Sequence, residues 1–391
     1  MNNRRPIRIA LAVARHGVRS AKRRIHRLSG RSDGLDTAYY EALYKGAVEL
    51  AGLGKGPDEL QRLLSDIASE ALSDSHIHQR IASALKEDAP RMQFEQRRRN
   101  ASFEKRLYRR WGSALDLFYC ITVACEEIGE EGYRAGREAD LDQDEKALLE
   151  AVSGLHARAC RTALEVHELL EAGFPMGAHA RSRTLHELAV VALVLSKFGS
   201  HPGFRDIGMR YLAFDHVTNW MDAQEYQKYA SQLNVEPLSG EEMANIEAAR
   251  DEATTLFPDM NRKLGWAGDL PGLRRRTFPE LEAIAGLDHL RPYYTWASHE
   301  VHANPKGSRL NRRSGPDGVV KLAGRTNRGL ADSAQGALIA LHQVTSAMLT
   351  CPGVVTPSGL VGVQAVTLLL DEACRDFART EREMRDRYGE R

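Results

Sequence analysis

Two short stretches of this sequence gather polar residues of types that do chemistry. In the first, His179-Ala-Arg-Ser-Arg-Thr-Leu-His-Glu-Leu188, the helical repeat stacks His179, Arg183, His186 and Glu187 along one side. From Leu188 to Leu195 every residue is apolar, so this helix is expected to enter a core and carry Arg183 and Glu187 with it. Buried charges persist only when paired and hydrogen-bonded, because desolvation costs several kcal/mol per ion. Two readings follow. In one, Arg183 and Glu187 are an ion pair that fixes neighbouring helices. In the other, the cluster floors a cleft where His186 is general acid or base and Arg183 stabilises developing anionic charge.

The second stretch, Tyr293-Tyr-Thr-Trp-Ala-Ser-His-Glu-Val-His-Ala-Asn304, sets Tyr294, Ser298 and His302 on one helical line, with His299 one turn from His302. A serine and a histidine a turn apart suggest nucleophile and base, yet no acid stands ready to orient the imidazole and no nucleophile elbow is present. The alternative is a core network in which these groups hydrogen-bond Arg183 and Glu187. A metal site would need His179, His186, Glu187, His299 and His302 to converge. Helical His-x-x-His is a poorer signature than HExxH, which is absent, so no metal ligands are assigned.

Basic stretches flank these segments. Residues 91–111 carry Arg91, Arg97, Arg98, Arg99, Lys105, Arg106, Arg109 and Arg110 against Glu95 and Glu104, with Phe94, Phe103, Tyr108 and Trp111 interleaved. Residues 306–328 carry Lys306, Arg309, Arg312, Arg313, Lys321, Arg325 and Arg328 against Asp317. Arg97, Arg98, Arg106, Arg109, Lys306, Arg309 and Arg312 are the candidate contacts for RNA or another polyanion, which would then lie beside His302. A merely solvated basic surface is the plainer reading. No Walker or Rossmann glycine loop is found, and no cofactor is expected.

The elements that must position these groups read as helices. Apolar spacing predicts a long helix from about Met92 to Glu130, with Leu107, Trp111, Leu115, Phe118 and Ile121 inward. Asp142-x-x-Glu145 and Ser239-x-x-Glu242 read as capping boxes. Gly173 and Gly199 read as helix ends. Further helices are expected over about 203–231, 240–256, from Leu290 to Asn304-Pro305, 329–349 and 359–387. Residues 306–328 read as a basic loop, with a small hairpin at Gly318-Val-Val-Lys-Leu322. The expectation is an all-α multi-helix bundle: a basic N-terminal arm over 1–36, with ten Lys/Arg before Asp33, a small helical lead-in over 37–90, and the main helical domain over 91–391.

Lys and Arg total 54 against 53 Asp and Glu, so only the distribution of charge informs about partners. The five cysteines form no CxxC and sit mostly in apolar helical patterns, which suits buried thiols in a reducing compartment. No apolar run approaches the roughly 20 residues of a membrane span, so neither a span nor a secretory signal is expected and the cytoplasm is the expected location.

Several phrases together resemble the bacterial helical family named domain of unknown function 5677: Leu169-Leu-Glu-Ala-Gly-Phe-Pro175, Arg183-Thr-Leu-His-Glu-Leu188, Gly265-Trp-Ala267, Arg291-Pro-Tyr-Tyr294 and Ala297-Ser-His-Glu-Val-His-Ala-Asn304. The likeness covers roughly 95–375. It implies an α-helical fold, a mobile-element or defence context, and polar signatures on Arg183, Glu187, Ser298, His302 and Asn304. It carries no activity. Arg181-x4-His186 also resembles the signature of HEPN-type helical ribonucleases, although Arg181 lies about 140° around the helix from His186. The leading expectation is a metal-independent ribonuclease or toxin-like effector in which His302 or His186 activates a ribose 2′-hydroxyl and Arg183 stabilises the pentacoordinate phosphate. Its alternatives are a non-catalytic module that binds a nucleotide, nucleic acid or protein, and a metal-dependent hydrolase. By analogy with HEPN-type nucleases a homodimer is an option. Solvent access separates the readings, because an enzyme must open its histidine to a cleft.

Overall fold

The computed structural model describes residues 75–388 apart from 303, 311, 316 and 317, without the side chains of 75–78, 80, 81, 308–320 and 388. The basic arm over 1–36 and the lead-in as far as residue 74 lie outside the described residues. The chain divides into two compact units, Met1–Gln96 and Arg97–Arg391. Among the described residues the structure is all-α, with one small antiparallel hairpin.

Helix α1 spans Ser75–Glu138. The proline at position 90 lies inside it, where the sequence suggests separate helices before and after. A proline removes one backbone hydrogen bond and strains the preceding turn, but strong helix formers flank it on both sides. Arg91 Nε also reaches back to Asp88 Oδ1 at 2.6 Å across the same turn. In the second unit α1 turns Leu107, Trp111, Leu115, Phe118 and Ile121 into the core, as their spacing requires.

Helix α2, Gln143–Glu171, opens with the Asp142/Glu145 capping box, and α5, Gly240–Leu256, opens with the Ser239/Glu242 box. Gly173 adopts φ +77° after α2, a conformation that favours glycine. Helix α3, Pro175–Gly199, is the centre of the second unit and packs on α2, on α9 (Ala331–Leu349), on α6 (Phe278–Ala285) and on α7 (Arg291–Val301). Leu185, Ala189, Val190, Ala192, Val194 and Leu195 are fully buried, which explains the apolar run after Glu187. Gly199 is not a left-handed cap. It remains helical and lies where a Cβ would sit 2.4 Å from Leu148 Cδ2. Helix α4, Ile207–Leu233, packs on α2 and α5. A short α8, Pro305–Leu310, precedes the hairpin β1 (Arg312–Gly315) and β2 (Gly318–Lys321), and α10, Pro357–Tyr388, follows α9. No described helix is long and apolar enough to cross a membrane.

The thiols of Cys125, Cys160, Cys351 and Cys374 are pushed up by burial, to about 11, 12, 12 and 11 respectively, so they stay protonated at neutral pH. Cys120 is exposed. Burial also pushes the His156 imidazole down to about 4, and its Nε2 lies 3.1 Å from Thr345 Oγ1 on α9.

Two tests follow from this packing. A Cβ at Gly208 would meet the backbone N and Cα of Leu148 at 2.5 and 2.6 Å, whereas Gly154 has nothing within 4 Å. Gly208→Ala should cost about 1–3 kcal/mol by urea denaturation, and Gly154→Ala should add about 0.5–1 kcal/mol. His156 is held neutral in the fold while the unfolded chain takes a proton near pH 6.5. Stability is therefore intact above that pH and falls as pH drops toward 4, by about 3 kcal/mol from this one group. Denaturation across that window should show a shallower decline in His156→Gln.

Candidate functional site

The two polar stretches face each other, because α7 packs against the first turns of α3 while α6 lies beside both. Tyr294 OH accepts from Arg183 Nη2 at 2.7 Å and donates to Glu187 Oε1 at 2.9 Å. Arg183 Nη2 also pairs with Glu187 Oε1 at 3.0 Å, one helical turn along α3. The Arg183–Glu187 ion pair expected from their spacing is therefore present, and Tyr294 joins it from the opposite helix. Burial raises the Tyr294 phenol above its ordinary range; the Arg183 hydrogen bond opposes this and Glu187 adds to it. The hydroxyl keeps its proton and serves as Glu187's donor.

A second set of bonds lies one turn deeper. His186 Nε2 donates to Glu282 Oε1 at 2.9 Å, and Arg291 Nη1 donates to Glu282 Oε2 at 2.6 Å. Glu282 is fully buried. Desolvation lowers the His186 pKa, with the Glu282 hydrogen bond opposing it, so the imidazole is neutral and carries its proton on the nitrogen facing the carboxylate. The two sets meet at the Tyr294 ring, with the guanidinium carbons of Arg183 and Arg291 at 4.7 and 4.9 Å from its centroid. The His186 and Phe278 rings lie 5.6 and 5.2 Å from it. Formal charges cancel: Arg183 and Arg291 against Glu187 and Glu282. The Arg183 Nε is buried and has no hydrogen-bond partner among the described residues.

Ser298, His302 and Asn304 play other parts. Ser298 Oγ donates to the Tyr294 carbonyl at 2.9 Å, a local helix bond that leaves it unpaired with any histidine. His302 is exposed as the C-terminal cap of α7. Asn304 is exposed and its Oδ1 accepts from the Lys306 backbone N–H at 3.0 Å. Neither joins the cluster among the described residues. Arg181 points the other way, to Glu165 on α2 at 2.5 Å, so it and His186 serve opposite sides of α3. The carboxylate that anchors the deeper set, Glu282, was not singled out by sequence, although it is the one acid between Leu281 and Ala285. The described residues whose ligand atoms lie close enough to share a metal ion are His167, Glu168 and Glu171 on α2, none of which belongs to the cluster.

The basic stretches meet elsewhere. Arg325 donates to Glu104 Oε1 on α1 at 2.5 Å and to the Ala172 carbonyl at 3.0 Å, and Trp111 Nε1 donates to the Asn327 carbonyl at 3.1 Å. The return from the hairpin is thus seated on the basic part of α1, and Arg325 neutralises the one acid between Arg97 and Trp111. Arg97, Arg98, Lys105 and Arg109 are exposed and make no ion pair among the described residues, and Arg106 is exposed and bonds Ser102 Oγ. Lys306 is exposed as well. The side chains of Arg309 and Arg312 lie outside the described residues. Beside this junction an apolar cavity of about 270 Å³ is lined by Gly173–Gly177 and Leu322–Thr326, without any of the candidate acid or base groups.

The sequence model of a family of unknown function, DUF5677, matches residues 149–318. That stretch is similar to the DUF5677 family. It contains α3, α6 and α7 and therefore the whole polar cluster, while the basic part of α1 lies before it and Arg325 after it. No curated protein and no solved structure matches the chain, and the Arg-x4-His likeness finds no support in these comparisons.

Removing members of the cluster should rank by burial. Glu282→Ala strands the His186 N–H in the core and should cost about 3 kcal/mol or more. Tyr294→Phe leaves the direct Arg183–Glu187 pair at a half-exposed edge and should cost about 1 kcal/mol. Urea denaturation of both variants gives the ranking; the reverse order would contradict the assignment of Glu282 as the anchor.

Proposed function

We propose that the chain is an RNA-binding helical module in which the DUF5677 polar cluster is a clamp and the exposed basic surface holds the phosphates. The observation that carries this reading is the seating of the hairpin's return on α1 through Arg325 and Glu104, which joins two basic stretches far apart in sequence. Along α1, Arg98, Lys105 and Arg109 fall within about 40° of one another around the helix, a line of cations suited to a phosphate backbone. The clamp itself offers no such attraction. Its formal charges sum to zero, with each guanidinium paired to a carboxylate, so a polyanion gains little from approaching it.

A second reading is the metal-independent ribonuclease or toxin-like effector. What favours it is His302, an exposed imidazole at the end of α7, followed by the exposed Lys306. There His302 would take the proton from a ribose 2′-hydroxyl while neighbouring cations hold the phosphate.

Binding to labelled single-stranded RNA, measured by anisotropy over a salt series, tests the first reading. Affinity should fall steeply with salt, and Arg98→Glu with Arg109→Glu should weaken binding at least about tenfold and flatten the salt slope. A folded double variant that binds as the parent does would remove the reading. The same samples incubated with chelator report on the second: cleavage that disappears in His302→Ala supports a nuclease, and intact RNA throughout leaves a binding module.

A further inference from the structure

The inner side of α7 is fixed by Tyr294 and Ala297, but its outer side is left with two large aromatic residues in water. Tyr293 is 51% exposed and Trp296 49%, and their rings meet edge to face with centroids 5.5 Å apart and planes at 71°. An edge-to-face pair leaves ring faces open, and each half-exposed aromatic forfeits the burial that normally stabilises it. We propose that Tyr293 and Trp296 are a stacking platform for the bases of single-stranded RNA, an inference that rests on the RNA-binding reading above and adds to it the form of RNA bound.

Charge around the platform decides between occupants. Helix α8 packs on the last turn of α7, where a Cβ at Gly307 would lie 2.6 Å from the His299 carbonyl oxygen, and so brings the exposed Lys306 to the C-terminal end of α7. The chain continues into Arg309, Arg312 and Arg313. The acid on α7, Glu300, has its Oε1 buried rather than presented to solvent. Exposed aromatic faces on a helix that leads into a basic segment match a strand whose bases stack while its phosphates are neutralised. A duplex hides its base faces and could not use such a platform. The exposed His302 and Asn304 add hydrogen-bonding groups at the same end of α7, and the ribose 2′-hydroxyl is a group that RNA offers and DNA lacks.

The test uses the full chain and its Trp296→Ala, Tyr293→Ala and Trp296→Phe variants. Each is checked for unchanged circular dichroism and sedimentation, then titrated with single-stranded RNA, single-stranded DNA of the same sequence and duplex RNA. Trp296→Ala should weaken single-stranded RNA binding about 5- to 150-fold, the range expected for losing one stacked base, and Trp296→Phe should recover most of it. Duplex binding should be unchanged by either. The platform is overturned if Trp296→Ala binds single-stranded RNA as the parent does, if duplex binding falls equally, or if the parent binds only DNA. A shift from dimer to monomer in Trp296→Ala with RNA affinity intact would reassign the patch to contact between copies. A parent that binds no RNA would overturn the platform together with the reading it rests on, whereas retained binding in Trp296→Ala would overturn the platform alone.

Discussion

Glu282 is fully buried in a helix of eight residues, and a carboxylate in that position must be met by donors from outside its own helix. Desolvating an ion costs several kcal/mol, and only close, well-oriented partners offset it. His186 on α3 and Arg291 on α7 are those partners. The consequence is that three helices must take one relative arrangement before the carboxylate is satisfied. Tyr294 then lies between the guanidinium groups of Arg183 and Arg291 and closes a second ring of hydrogen bonds through Glu187. Glu282 and His186 are buried, whereas Arg291 and Glu187 reach half-exposed positions, so the cluster runs from core to surface.

This arrangement separates two jobs that the sequence places side by side. The polar residues of α3 and α7 hold helices together through paired charges. Arg97, Arg98, Lys105 and Arg109 of α1, and Lys306 after α7, are exposed. Ser298 is tied to a backbone carbonyl, His186 to Glu282 and the Tyr294 hydroxyl to Glu187. Under the binding reading proposed above, the clamp acts through geometry, because it fixes the helix whose outer side carries Tyr293 and Trp296.

Much of the fold was legible because it is written locally. Capping boxes at Asp142 and Ser239, the apolar run after Glu187 and the spacing of Leu107, Trp111, Leu115 and Phe118 each depend on residues within a few turns. The Arg183–Glu187 pair was legible for the same reason, being one turn apart. The break between the lead-in and the long helix near residue 90 is absent, because the local preference of Pro90 yields to the helix formers around it. Gly199 does end its helix, but what calls for a glycine there is the close approach of Leu148, a residue of another helix. Glu282 could not be found from spacing. Its partners lie 96 residues before it and 9 after, and its neighbours in sequence resemble an ordinary short helix. The junction of the basic stretches is less legible still, because Arg325 and Glu104 are 221 residues apart.

If the buried carboxylate is what locks α7 to α3, weakening it should loosen that helix before any other. Amide hydrogen exchange of Glu282→Gln, followed segment by segment beside the parent, measures this directly. Faster exchange is expected in residues 291–301 and 278–285, with α2 and α9 protected as in the parent. Uniform acceleration across all helices, or unchanged protection of α7, would contradict a clamp centred on Glu282.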